Sequence, residues 1–470
     1  MASIAAGRPQ DIQNERGNPH WTRPPRADAL DPIPGTDGWP LVGTTITQLA
    51  DPIGFAERMA ARYGPVYRTR SFGRRMVNLV GADANELVLF DRERIFSSEQ
   101  GWGPVLNLLF PRGLMLLDFD MHRLDRRALS AAFKREPMRN YCALLNADIA
   151  RGTQSWGAGA AQTGTMAFYP AIKALTLETA ATSFLGLPLG PEADRLNSAF
   201  VDMVQASIAP VRRPLPFTAM GKGVAGRRMM VAYFTQLLRQ RRADPGQDMF
   251  SQFALATRDD GALLPEDLVV DHMIFLMMAA HDTITSSMTG LIWQLAQHPE
   301  WQEKLRGEAR AAAGGDARPL PFEALGQMVL TEMAFKEALR ILPPVPATPR
   351  RALKDFSFGG FRIPAGTGVG ISAASIHADP AHWPDPARFD PLRFTAEEVA
   401  KRHKYAWVPF GGGAHMCLGL HFAYMQVKVL VHHILTRYEL GVAPGYAPAW
   451  QAWPIPKPRD GLQLRLRPLL

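Results

Sequence analysis

One stretch near the C-terminal end, Phe410-Gly-Gly-Gly413-Ala-His415-Met-Cys417-Leu-Gly419, constrains this chain more than any other. It carries one of only two cysteines, held between glycines and followed at once by an apolar run, Leu418–Leu435, that suits a helix. The other cysteine, in Arg139-Asn-Tyr-Cys142-Ala-Leu-Leu, reads as a small buried hydrophobe. A thiolate at a helix N-terminus is stabilised by the macrodipole and by the free N–H groups there. Glycines permit positive φ and let the backbone approach a flat object closely, and Phe410 can pack beside that object. The flat object that fits is a haem whose iron takes the Cys417 sulfur as its axial ligand.

The same stretch resembles the signature of the haem-thiolate monooxygenases, the cytochrome P-450 family: F-x-x-G-x-(R/H)-x-C-x-G, with Phe410, Gly413, His415, Cys417 and Gly419 at its fixed positions. The resemblance implies haem b (iron protoporphyrin IX) as cofactor, with Cys417 its metal ligand. It also implies a mainly α fold with a smaller β region, a triangular helical prism whose long central helix crosses the haem. Within that frame residues 1–30 are expected to be a flexible tail and residues 31–470 one catalytic domain.

Composition agrees with a large soluble core, since 47% of residues are hydrophobic and 20% charged. Two cysteines give no disulfide framework and suit a reducing cytoplasm. The net charge of +8 permits an acidic partner. Zinc spacing, RNA-binding aromatics and long basic blocks are missing, so no nucleic-acid partner is expected. Met1–Leu30 is polar, and the longest apolar stretch, Met273–Ala280, falls short of the roughly 20 residues of a span. No transmembrane anchor is therefore expected, and the family resemblance then points to a soluble, bacterial-type, cytoplasmic enzyme. Strands are expected at Val66–Thr69 and Met76–Val80, around Phe72-Gly-Arg-Arg75, and in the Asp355–Ile363 run. Residues 119–310 read as mostly helical, interrupted at Pro188–Pro191 and Pro210–Pro216.

A long helix is expected from Pro265 to Pro299, about 45 Å of it. Midway lies Ala279-Ala-His-Asp282-Thr283. On the residues alone, Thr283 either bonds back to the carbonyl one turn earlier while Asp282 pairs with a distant cation, or the two are used chemically. The stretch resembles the family's (A/G)-x-x-(D/E)-T motif, in which the acid–alcohol pair is catalytic. It feeds protons to the O–O bond that the thiolate's push helps to cleave. Ala279 would leave room over the haem.

Three further sets follow from the resemblance. Glu337 and Arg340, at i, i+3, with Arg393 in Pro386-Ala-Arg-Phe389-Asp-Pro391-Leu-Arg393, would form a buried structural triad. His122, Arg126, Arg350 and His415 would bind the haem propionates, with Arg351 competing for the place of Arg350. Apolar segments would line the substrate pocket through Trp102, Leu108, Met278, Val345, Pro346, Ala347, Trp453 and Pro454. Pro210–Phe217, flanked by basic residues, resembles a mobile lid.

Pro32-Ile-Pro-Gly35, Leu342-Pro-Pro344 and the Pro454–Leu462 tail resemble the sterol demethylase and retinoid hydroxylase branch. Sterol demethylases commonly carry His where Asp282 stands, which turns the expectation away from demethylation. The implied reaction is insertion of one oxygen atom from O2 into a C–H bond of a lipophilic molecule: a steroid, terpenoid, retinoid or fatty-acid-like substrate. Electrons would come from a separate ferredoxin or flavodoxin with its NAD(P)H reductase. Arg123, Arg127, Lys134, Arg135 and Lys401–Lys404 would attract it, or would serve solubility alone. A peroxygenase or haem isomerase, and a haem sensor, are the alternatives; the Asp282–Thr283 pair counts against both.

Overall fold

The structure of the chain, a computed structural model, describes residues 20–469 apart from 41, 72, 158–163, 188, 189, 210 and 317. The helices that position the site are α1 (Ala82–Phe90), α2 (Ser98–Leu106), α3 (Phe119–Leu129), α4 (Phe168–Leu185), α5 (Pro191–Ser207), α6 (Ala219–Ala243), α7 (Glu266–Gln297), α8 (Val329–Ile341) and α9 (Leu420–Leu435). Arg135–Thr153 and Pro299–Ala313 add to the same helical layer. The fold is mainly α with a smaller β region, as expected.

Helix α7 is the axis. Pro265 stands at its N-cap, where a missing N–H costs nothing, and Glu266 and Asp267 occupy the first turn. Its 32 residues span about 48 Å. Met273, Ile274, Met288, Leu291, Ile292 and Leu295 are fully buried within the main core. Among the described residues it is the helix long and apolar enough to cross a membrane, but 67% of its most apolar window is buried in protein. It is a core helix.

The main sheet contains β1 (Gly35–Thr36), β2 (Val66–Ser71), β3 (Arg74–Leu79), β4 (Phe96–Ser97), β5 (Ala347–Ala352) and β6 (Gly368–Ser372). Its spatial order is β1-β2-β3-β6-β5-β4, with β1 and β2 parallel, β3 and β6 parallel, and the remaining pairs antiparallel. The hairpin expected around residues 72–75 is β2–β3, although Phe72 lies outside the described residues. The Asp355–Ile363 run folds as a second hairpin, Phe356–Phe358 on Phe361–Ile363, turning at Gly359 and Gly360.

The two expected interruptions separate α4 from α5 and α5 from α6, with Pro188 and Pro210 themselves outside the described residues. Residues 1–19 of the expected tail also lie outside them. The rest of that segment is docked: Gln100 receives bonds from Thr22 and donates to the His20 carbonyl, Trp21 lies by Arg351, and Leu30 is buried. The structured body therefore begins before residue 31.

Helices α5 and α6 pack face to face because Gly223 and Gly226 present no side chain at the contact. A Cβ on Gly223 would lie 2.3 Å from the Ala206 Cβ. Gly223→Ala should force the helices apart and cost about 1–3 kcal/mol, read as a lower midpoint in urea unfolding at unchanged m-value.

Candidate active site

The cysteine loop is shaped by backbone. Cys417 N–H donates to the Phe410 carbonyl at 2.9 Å, and Met416 N–H to that of Gly413 at 3.2 Å. Gly413 sits at φ +59°, and a Cβ there would fall 2.2 Å from the Leu89 carbonyl oxygen of α1, so only glycine fits. Gly419 differs, because a Cβ on it would meet nothing closer than Phe133 Cε1 at 4.0 Å. Helix α9 starts at Leu420, two residues later than the apolar run, because Leu418 and Gly419 complete the turn. Phe410 stacks near Trp407 and Tyr424, which fixes one wall of the loop.

Cys417 is surrounded by protein yet keeps accessible surface, as a residue on the wall of an internal space does. Burial pushes its thiol up, while the Gly419 N–H and the Arg126 guanidinium pull it down. Cys142, by contrast, is closed in among core side chains, and burial pushes it up to about 12.

Four residues named from sequence converge beside this loop. The rings of His122 (α3) and His415 stack with centroids 4.0 Å apart. Burial first, then Arg126 and Arg350, lowers His122 to about 4; burial, Arg350, His122 and Arg126 lower His415 as well. In the protein alone both rings are therefore neutral at pH 7, and the cluster's positive charge belongs to the two arginines.

Arg350 is buried on β5, donates to the Pro349 carbonyl at 2.9 Å, and is lowered to about 10 by burial. Asp118 and Asp91 sense it, but their oxygens accept from the N–H groups of Ser98 and Glu99 and of Ile95 and Phe96. Arg351, one residue on, faces the other side of the strand, bonded to the Gly366 carbonyl at 3.1 Å and lying over Trp21. Among the described residues no carboxylate comes within ion-pair reach of Arg126 or Arg350.

The middle of α7 exposes one stripe. Leu276, Ala279, Ala280 and Thr283, at i, i+3, i+4 and i+7, are partly accessible in the middle of an otherwise buried helix. Trp102, Leu108, Ala279, Phe410 and Leu418 all pack at the accessible margin of the same core. Met278 and Asp282, also partly accessible, lie on another side of α7. Val345, Trp453 and Pro454 are partly accessible, Pro346 is buried and Ala347 exposed. Ser286 Oγ donates to the Pro456 carbonyl at 2.7 Å and ties the C-terminal turn to α7.

Thr283 Oγ1 donates to the Ala279 carbonyl at 2.7 Å, the back-bonded arrangement. Asp282 reaches a cation on α4, with Lys173 Nζ at 3.3 Å, and His281 Nδ1 at 3.2 Å. Burial would raise its carboxyl, but His281 and Lys173 overcome this and hold it at about 2. Sequence reasoning did not find Lys173, which no local signal connects to Asp282.

Below the cysteine loop, Glu337 is fully buried on α8. Arg340 Nε and Nη2 donate to its two oxygens at 2.7 and 2.8 Å, Arg393 Nε lies 3.3 Å away, and the Asp390 N–H donates at 3.0 Å. Arg340 also donates to the His377 carbonyl, and Arg393 to that of Asp385. All three members of the expected triad therefore meet.

A helical prism around such a cysteine loop is the architecture of a haem-thiolate oxidoreductase. The cytochrome P450 family model matches residues 33–452, and the chain belongs to that family. It is 36% identical to the Mycobacterium tuberculosis protein named cytochrome P450 136, over 95% of this chain and 90% of that one. It is 30% identical to abscisic acid 8'-hydroxylase 3 of Oryza sativa, over 92% and 86% respectively. The solved structure of retinoic acid-bound cyanobacterial CYP120A1 superposes with a TM-score of 0.83 at 29% identity, covering 93% of this chain and 99% of that chain. Family membership makes the protein a P450 monooxygenase with haem b as its cofactor.

Two stability predictions follow from the buried charges. Glu337→Ala strands Arg340 and Arg393 without their counter-ion and should cost about 3–5 kcal/mol, measured by denaturant unfolding. Asp282 has a folded pKa below its unfolded value, so its contribution, about 2 kcal/mol, is present above about pH 4 and lost as pH falls toward 2. The stability gap between the native chain and Asp282→Asn should shrink across that acid window.

Proposed function

We propose that Cys417 is the axial thiolate of a haem b whose propionates are received by Arg126, Arg350, His122 and His415. The enzyme, in this reading, hydroxylates a lipophilic substrate held along the Ala279–Thr283 stripe. The observation that carries the proposal is a pair of guanidiniums, neither with an ion-pair partner among the described residues, set beside the accessible sulfur. Desolvated cations without a counter-ion are costly, and two carboxylates on one apolar plate answer that cost. The open space at Gly419 and the small side chains of Ala279 and Ala280 leave room for a plate between α7 and the cysteine loop.

When bound, the haem supplies the oxygen-activating chemistry. The chain's own residues do the rest. Arg126 and the Gly419 N–H face the sulfur and favour its ionised form. His122 and His415, neutral in the protein alone, offer N–H donors to the propionates and gain proton affinity once those charges are present. Thr283 presents its hydroxyl on the stripe, and Asp282, held ionised by Lys173 and His281, is the acid through which protons reach Thr283 from the solvent side. Lys173 is the partly exposed end of that route.

A substrate of isoprenoid type is supported by the apolar wall of Trp102 and Leu108 and by relatives named for abscisic acid and retinoic acid. Electrons come from a separate acidic ferredoxin or flavodoxin with its NAD(P)H reductase, drawn by Lys134 and Arg135, which are exposed. The Lys401–Lys404 run takes a smaller part, because Lys401 is paired with Glu397 and Glu398, and Arg402 lies 3.7 Å over Trp383.

Three variants separate the roles. Cys417→Ala should lose the far red-shifted Soret band of the reduced carbon monoxide complex. Arg350→Met should lower haem content of the purified protein, whereas Arg351→Met should leave it near the native level; equal losses would remove Arg350 from the proposed site. Thr283→Ala should consume reductant with little hydroxylated product, and a fully coupled Thr283→Ala enzyme would exclude the relay.

A further inference from the structure

Arg351 is left over by the propionate site. It is buried on the face of β5 opposite Arg350, and among the described residues no carboxylate comes within ion-pair reach. Burial, and then Arg74, lowers it to about 10. What meets its guanidinium is a ring, that of Trp21, with the centroid 5.9 Å away. Trp21 belongs to a short stretch, residues 20–23, that is held along its whole length. The His20 carbonyl accepts from Gln100 Nε2 at 2.9 Å, and the Thr22 N–H and Oγ1 both donate to Gln100 Oε1, at 3.1 and 3.0 Å. Gln100 is buried on α2, and both ends of its amide are committed to this stretch. The Arg23 carbonyl sits where a side chain on Gly366 would stand, since a Cβ there would lie 1.8 Å from the Arg23 oxygen.

The His20 ring meets Phe119, the first residue of α3, edge-on at 5.2 Å. Phe119 stands at φ +46°, a conformation that a bulky side chain adopts only under constraint, and Arg94 lies over the same ring at 5.5 Å. A polar tail trailing from the body needs none of this. The footholds also share a neighbour. Gly101, next to Gln100, approaches β5 so closely that a Cβ on it would lie 2.6 Å from the Pro349 oxygen and 2.7 Å from Arg350 Cα. The first turn of α2 thus rests on the backbone of Arg350. Asp118 holds that turn from the α3 side, accepting from the Ser98 and Glu99 N–H groups. Helix α3 and strand β5, the other footholds, carry His122, Arg126 and Arg350.

We propose that residues 20–23 are a strap closing the propionate end of the haem site, and that its release frees the first turn of α2 from Arg350 and lets haem enter or leave. This rests on Arg350 being a propionate ligand. The strap's ties are side-chain hydrogen bonds and ring contacts near the surface, and such ties open locally well before the fold does. A strap and a ligand control different quantities. Residues that bind the propionates set how much haem the protein holds, whereas a strap sets how fast haem passes in both directions.

The test compares the native full-length protein with Trp21→Ser, Thr22→Ala and with a chain lacking residues 1–24. Transfer of haem to excess apomyoglobin gives the release rate, and amide hydrogen exchange reads the opening of residues 98–106. Release about tenfold faster is expected in both variants. Exchange in residues 98–106 should quicken with it, while haem content as purified stays near the native level. Equal release rates overturn the proposal. Faster release without faster exchange in residues 98–106 also overturns it, because α2 is then not the part that opens. Haem content that falls in the double variant as far as in Arg350→Met would make the stretch part of the binding site, again overturning a strap. Failure of the propionate reading shows elsewhere, as native haem content in Arg350→Met, and is read apart from these rates. The red-shifted Soret band of the reduced carbon monoxide complex, kept in both variants, shows that the thiolate site is intact.

Discussion

Arg350 is buried on a sheet strand beside two neutral histidines, and although Asp118 and Asp91 favour its charge, neither comes within ion-pair distance. Nearby Asp118 and Asp91 are occupied in holding backbone N–H groups of the turns before and within α2. This unmet charge orders one whole side of the interior. Burial first, then Arg350 and Arg126, keeps His122 and His415 neutral, and Arg126 itself biases the Cys417 sulfur toward ionisation. In the proposed site the opposite wall of the haem space is the accessible stripe of α7, small and apolar at Ala279 and Ala280. A charged rim on one edge and an apolar floor elsewhere is the complement of a flat hydrophobic plate with two acidic tails.

Rigidity around that plate comes from a different kind of buried charge. Glu337 is satisfied on both oxygens by Arg340, Arg393 and the Asp390 N–H, so its burial is compensated where that of Arg350 is not. Arg340 then reaches the His377 carbonyl, and His377 Nε2 accepts from the Val408 N–H just before the cysteine loop. A closed network leads by hydrogen bonds from α8 to the segment that presents Cys417. The contrast between a compensated and an uncompensated buried charge separates the scaffold from the binding site without reference to any relative.

Much of this was legible in the sequence where the signal is local. The cysteine loop, the long uninterrupted helix with Asp282-Thr283 and the Glu337–Arg340 spacing each lie within a single segment, and each folded as expected. What was hidden depended on segments that meet only in the fold. Lys173 reaches Asp282 from another helix, and Arg350 and Arg351 are told apart only by the opposite faces of β5 on which they lie. Residues 20–30 read as tail because they are polar and rich in Pro and Arg, yet Gln100 and Arg351 dock them.

In the proposed relay the two sequence readings of Thr283 become successive positions of one hydroxyl, of which the structure holds the back-bonded one. A threonine has a single proton to donate, and here it is committed to the Ala279 carbonyl, so the group faces the stripe with acceptor lone pairs only. In that position it receives hydrogen bonds and gives none. Turning the hydroxyl off Ala279 costs about 1 kcal/mol, because that carbonyl retains its own helical partner. The change is therefore within reach of whatever occupies the stripe. Back-bonding is thus the resting position from which a proton donor in the cavity is made available, and it protects the helix while the cavity holds nothing that needs one.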